Sequence, residues 1–186
     1  EHDHRKSQLV VRPSFEREWA VYIVREDGSP ATVVFKRFRE QLWRDMLRLT
    51  SERGIGAGVK TEVERQRAVL AVLTPSVDRW ASPISKPVAD TLEEVWWRML
   101  GRARYPRNVR SGQDGASFSF ASWRGGVGFR SGETWSPADG SRTGALVALG
   151  EQMAELAQAP SMKKEQALGT AARRLLASLT KLNDRP

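Results

Sequence analysis

The hydrophobic pattern of this chain switches from the period of a β-strand to the period of a helix. Glu18–Val24 and Ala31–Phe35 are short runs of aromatic and β-branched residues, and the turn signal Asp27-Gly28 lies between them. Apolar residues then recur every three or four positions, at Phe35, Phe38, Leu42, Met46 and Leu49. This part of the chain therefore predicts a β-hairpin followed by a helix.

The same order recurs in the second half. Phe118 and Phe120 alternate with small polar residues, and Arg124-Gly125-Gly126 is a tight turn before a returning strand at Val127–Arg130. One helical stripe precedes this hairpin and two follow it, with Ser85 and Ser161 as N-cap candidates. The sequence predicts an α+β fold, in which an antiparallel sheet of about four strands, made of two hairpins, packs against four or five helices.

Three segments fit this scheme less directly. Residues 1–14 are polar and contain Pro13, so they predict a flexible N-terminal arm before a single α+β domain over 15–186. Thr61–Leu73 fits either a helix or a buried strand, and we favour the helix. Thr74–Lys86 is predicted to be a connection that Trp80 holds against the core.

The distribution of cysteine and histidine excludes most common catalytic designs. The chain has no cysteine, and its two histidines are at positions 2 and 4, which rules out disulfides, Cys-ligated metals and a cysteine nucleophile. The run Glu1-His2-Asp3-His4 has ligands for copper(II) or nickel(II). A flexible arm lacks the pre-organisation of a metal site, so we predict neither a metal site nor a cofactor.

A serine hydrolase would need lysine or a carboxylate as its base. Ser161-Met162-Lys163-Lys164 matches the S-x-x-K pattern, but the companion motifs of that enzyme class are missing. Enzymatic activity is therefore not favoured, although a histidine-independent hydrolase remains one alternative.

Arginine and tryptophan in predicted loops indicate a binding surface. The net charge is +8, and no acid occurs between Glu94 and Asp114, which leaves an arginine-rich loop over residues 98–110. A second dense cluster of polar residues surrounds Trp135. The candidate binding residues are Arg98, Arg102, Arg104, Tyr105, Arg107, Arg110, Trp123, Arg124, Glu133 and Trp135.

These features favour a non-catalytic binding, accessory or inhibitor-type protein that contacts an acidic protein partner, because arginine and tryptophan are common interface anchors. The alternative is a nucleic-acid-binding protein that uses the 98–110 loop, since arginines with interleaved aromatics suit single strands. No apolar run approaches the ~20 residues that a membrane span needs. The chain begins at Glu1 rather than Met, which slightly favours a periplasmic or secreted location over a cytoplasmic one.

Overall fold

The computed structural model describes residues 5–51, 75–103 and 114–180, and residues 61, 64, 67, 68 and 71 between them. Within these residues the chain is α+β, as predicted, with one antiparallel sheet of six strands and four helices with defined bounds. The strands are β1 Arg5–Pro13, β2 Trp19–Val24, β3 Thr32–Phe38, β4 Val77–Pro83, β5 Ala116–Arg124 and β6 Gly128–Trp135. The helices are α1 Leu42–Ser51, α2 Lys86–Gly101, α3 Arg142–Gln158 and α4 Met162–Thr180.

The strand order across the sheet is β4-β3-β2-β1-β5-β6. Both predicted hairpins are present, as β2–β3 and β5–β6. The sheet therefore has two strands more than the predicted number of about four. The additional strands are β1, in the middle of the sheet, and β4, at one edge.

The prediction of a flexible arm over 1–14 is wrong for Arg5–Pro13, which form β1 in the middle of the sheet. This strand pairs with β2 on one side and β5 on the other. Ser7, Leu9 and Val11 are buried on the side that faces the core. The alternation of a half-buried strand was therefore present, although the polar residues between these positions obscured it.

The prediction of a connection over Thr74–Lys86 is wrong for Val77–Pro83, which form the edge strand β4. Trp80 packs against the core as expected. Pro83 occupies the last position of this edge strand, where its missing N–H costs no ladder hydrogen bond. The choice between helix and strand for Thr61–Leu73 falls largely outside the described residues, of which 64, 67, 68 and 71 are helical.

Local hydrogen bonds set where the helices begin. Strand β3 runs through Phe38, so α1 begins at Leu42 and not at the start of the predicted stripe. The Glu18 carboxylate accepts a hydrogen bond from the Leu42 backbone N–H at 2.9 Å. Ser141 caps α3 by accepting from the Gly144 N–H at 2.9 Å, and Ser161 accepts from the Lys164 N–H at 3.2 Å at the start of α4.

The core lies between one side of the sheet and the helices α2 and α3. Leu9, Val21 and Phe35 on the sheet belong to the same buried cluster as Leu92 of α2 and Leu149 of α3. Helix α4 packs on α2 and α3. The other side of the sheet, called here the outer side, faces away from α2, α3 and α4.

Candidate functional site

The structure divides the predicted binding residues among three places. Arg104, Tyr105, Arg107 and Arg110 lie outside the described residues, so the prediction for them is unchanged. Arg98, Arg102 and Arg124 lie near the end of α2, on the core side of the sheet. Trp123, Glu133 and Trp135 lie on the outer side. The six predicted residues that the structure describes are thus divided between the two sides of the sheet.

The arginines near the end of α2 form a structural network. Arg98 Nε donates to Glu94 Oε1 at 2.5 Å, and Arg124 Nη2 donates to Glu94 Oε2 at 2.6 Å. The guanidinium groups of Arg124 and Arg130 lie 4.7 and 3.7 Å from the centre of the Trp97 ring. Arg130 also donates to the Trp97 carbonyl at 3.0 Å. These contacts join α2 to β5 and β6.

The Glu94 carboxylate should make stability depend on pH. Burial raises the pKa of Glu94, but the hydrogen bonds from Arg124 and Arg98 outweigh it, so the pKa lies below its ordinary value. A carboxyl group with a lowered pKa in the folded state stabilises the protein above its unfolded pKa, and this stabilisation is lost as the pH falls through the folded pKa.

We expect Glu94→Gln to lower the free energy of unfolding at neutral pH by about 0.5–1 kcal/mol, since the partners are partly exposed. Urea denaturation of both proteins at neutral pH and at about pH 3 checks this, because the difference should shrink in acid. A difference that is the same at both pH values would contradict the role given to the charge.

The outer side of the sheet is strongly cationic. Strand alternation and register place five cations and one acid there among the described residues, namely Arg5, Lys6, Arg12, Lys36, Arg79 and Glu133. The aromatic side chains of this side are Tyr22, Phe38, Trp123, Phe129 and Trp135. We call these eleven residues the cationic sheet face.

A β-bulge in β1 concentrates two of the cations. The register shifts between Arg5 and Ser7, so Lys6 is the additional residue of the bulge. The Arg5 guanidinium lies 4.8 Å from the centre of the Tyr22 ring, and Lys6 Nζ lies 4.2 Å from the centre of the Trp123 ring. Without the bulge, successive residues would point to opposite sides. The bulge therefore puts two adjacent cations on the same side.

The acid of this face is paired. Glu133 Oε1 accepts from Arg12 Nη2 at 2.8 Å and from Ser119 Oγ at 3.3 Å. Both charged side chains are more than half exposed, so the pair contributes little to stability. Glu133 nevertheless neutralises part of the charge of Arg12.

Exposed apolar groups lie beside the cations at one end of the face. Trp123 and Phe129 are cross-strand partners that are 45% and 66% exposed, and Val127 in the intervening turn is 64% exposed. Trp135 lies at the other end of the β5–β6 hairpin, where its ring packs close to Gly115. Gly115 has a φ of +154°, which suits glycine far better than a residue with a side chain.

Sequence reasoning missed Arg5, Lys6, Lys36 and Phe129 as surface residues. For Arg5 and Lys6 the available signal was Leu9 and Val11 alternating with Gln8 and Arg12, which indicates a strand with one polar side. The bulge itself leaves no clear signal in the sequence. Phe129 was assigned to a returning strand, but its outward direction follows only from the register with Trp123.

Other classes of site find little support in the described part of the chain. No three histidine, aspartate or glutamate side chains come together there as a metal ion would require, and Glu1–His4 lie outside it. None of the described helices is long and apolar enough to cross a membrane. Comparison with models of protein families, with curated proteins and with solved structures finds no match. The function therefore has to be argued from the site itself.

Proposed function

We propose that this chain is a non-catalytic binding protein that holds an acidic protein partner on its cationic sheet face. The observation that carries the proposal is the group formed by Lys6, Trp123 and Phe129, in which exposed aromatic rings lie beside a cation. Interfaces concentrate their binding energy in aromatic and arginine residues with a polar rim. A face with five cations and one paired acid favours a partner of opposite charge.

An acidic protein fits this face better than a single-stranded nucleic acid. Stacking of bases requires free aromatic ring faces. Tyr22 is only 7% exposed, and Arg5 and Lys36 lie over its ring. One face of Trp123 is covered by Lys6. These rings are therefore better placed to pack against side chains than to intercalate between bases.

The hydrolase alternative has little support from the geometry around Ser161. Its hydroxyl accepts a hydrogen bond from the Lys164 backbone N–H, and Lys164 Nζ donates to the Glu155 carbonyl at 3.2 Å. Both groups of the S-x-x-K match thus serve the start of α4. A lysine base would instead have to contact the serine hydroxyl.

Site-specific photo-crosslinking tests the proposal. A photoreactive phenylalanine analogue replaces Phe129 in protein that is produced in its native cell. Irradiation should then give covalent adducts with another protein, and the crosslinked segment of that protein should be acidic. Lys6→Glu should reduce these adducts at least about tenfold, since like charges at an interface cost several kcal/mol. The measurement is the yield of adducts, identified by mass spectrometry.

The same analogue at Met162 serves as the matched control, because this residue is 76% exposed at the start of α4. Adducts of equal yield at Met162, or adducts at Phe129 that persist in Lys6→Glu, would overturn the proposal. A separate titration with a dT20 oligonucleotide addresses the alternative. Tight binding at ~50 mM salt that weakens steeply as salt is added would favour nucleic acid instead.

A further inference from the structure

A large cleft lies on the other side of the sheet, between α1, α3 and the ends of β2 and β3. Its volume is about 1280 Å³, somewhat above the usual range for small-molecule sites. Trp19 forms an apolar floor that the buried Phe35 supports, with their ring centroids 5.7 Å apart in an edge-to-face arrangement. The cleft is separate from the cationic sheet face, because these floor residues point to the core side.

Arg37 brings to this cleft a guanidinium group that lies 5.6 Å from the centre of the Trp80 ring and has one N–H without an acceptor. It is the cross-strand partner of Trp19, so its side chain lies on the same side of the sheet as the floor. Its Nε atom is buried and has no hydrogen-bond partner, and within the described residues the side chain makes no ion pair. Asp78, its other cross-strand neighbour, instead accepts from Arg39 at 2.7 Å. A buried donor without a partner is costly, and the same guanidinium group lines the cleft, where its other N–H groups can donate to an anionic ligand group.

Two of the carboxylates that line the cleft lie on α3. Glu151 and Glu155 are one turn apart on α3 and both line the cleft. Within the described residues neither carboxylate takes part in an ion pair. Burial raises the pKa of Glu151 above its ordinary value, and the charge of Glu155 raises it further. The missing ion pairs and the raised pKa of Glu151 both favour a cationic ligand group beside these two carboxylates, because its positive charge would reduce their mutual repulsion.

The cleft adjoins a second groove. Glu16, Trp19 and Glu151 also line this groove of about 700 Å³, which runs along the first half of α3 past Ser136. Ser136 has a φ of +34°, a backbone conformation that is uncommon for a residue with a side chain. Its N–H and hydroxyl both bond to the backbone of Ala116, at 2.9 and 3.1 Å, which holds the groove wall in place.

We propose that the cleft binds a short peptide with free termini. The carboxylate of the peptide pairs with Arg37, its ammonium group pairs with Glu151 and Glu155, and an apolar side chain packs on Trp19. Among the described residues, five arginines and five carboxylates line the cleft around its apolar floor, and this mixed lining matches a zwitterion better than an ion of either sign. The adjoining groove gives room for an extended chain.

Isothermal titration with tripeptides tests the assignment. The probes are Ala-Phe-Ala, Ala-Leu-Ala and Ala-Trp-Ala with free termini, each compared with its C-terminally amidated and its N-acetylated form. We expect the free peptides to bind best and either modification to weaken binding about tenfold. In Arg37→Gln the preference for a free carboxylate should disappear, whereas the preference for a free amine should remain. Glu151→Gln should have the opposite effect.

Arg79→Gln is the matched control, since this arginine lies on the outer side of the sheet and should leave all the preferences unchanged. Circular dichroism establishes that each variant is folded. The assignment is overturned if no free tripeptide binds at millimolar concentration, if the modified peptides bind as well as the free ones, or if Arg37→Gln and Arg79→Gln behave alike. None of these outcomes bears on the partner of the cationic sheet face.

Discussion

Replacing Trp96 with alanine should lower the free energy of unfolding by about 3–5 kcal/mol. Trp96 is fully buried, and its Nε1–H donates to the Gln8 carbonyl at 3.1 Å. The side chain therefore joins α2 to the central strand β1 by packing and by a hydrogen bond. The expected loss is a large share of the roughly 5–15 kcal/mol that stabilises a typical domain. Urea denaturation followed by far-ultraviolet circular dichroism measures it.

Two further variants separate the contributions of packing and hydrogen bonding. Trp96→Phe keeps an aromatic ring but loses the donor to Gln8, so we expect a loss of about 1–3 kcal/mol. Trp123→Ala removes a tryptophan that is 45% exposed, and it should cost less than about 1 kcal/mol. Equal losses for Trp96→Ala and Trp123→Ala would contradict the position of Trp96 in the core.

Gly150→Ala should destabilise the protein by about 1–3 kcal/mol, although alanine favours a helix by about 1 kcal/mol over glycine. Gly150 is buried on α3, and a Cβ atom at this position would lie well inside van der Waals distance of Leu9 Cδ2. Leu9 is fully buried in β1, so its side chain has no solvent space into which to move. Denaturant unfolding of the variant provides the measurement.

A double-mutant cycle with Leu9→Ala tests this explanation. Leu9→Ala alone should cost about 2–5 kcal/mol, because it leaves a cavity. In that background the clash is absent, so Gly150→Ala should become neutral or stabilising by up to about 1 kcal/mol. If Gly150→Ala costs the same with and without Leu9, its effect does not come from this contact.

The elements that the sequence predicted well are those whose apolar residues follow a regular period. The hairpins β2–β3 and β5–β6 have β-branched or aromatic runs around glycine turns, and α3 has a clear stripe behind the Ser141 cap. Strand β4 has only Trp80 as a large inward-facing apolar group and is otherwise mostly exposed. An edge strand of this kind gives too weak a period to be told from a loop.

The candidate surface was only partly predictable for a related reason. Trp123 and Trp135 are conspicuous in sequence, but their shared direction with Lys6 depends on pairing between distant strands. Arg98 and Arg124 were also conspicuous. Arg98 pairs with Glu94 one turn earlier on α2, whereas Arg124 reaches Glu94 only because the end of β5 lies beside α2. A count of charges indicates a basic surface, whereas the tertiary contacts decide which cations have partners.

The position of β1 also affects how the chain reaches its native state. Leu9 pairs with Phe120, and the strands between them in sequence include β2, β3 and β4. During synthesis β1 to β4 leave the ribosome first, and one edge of β1 keeps unpaired N–H and C=O groups until β5 follows. Such an edge is a template for pairing with another chain, and contacts between distant residues form slowly. We therefore expect this edge of β1 to be open to pairing with another chain until β5 docks.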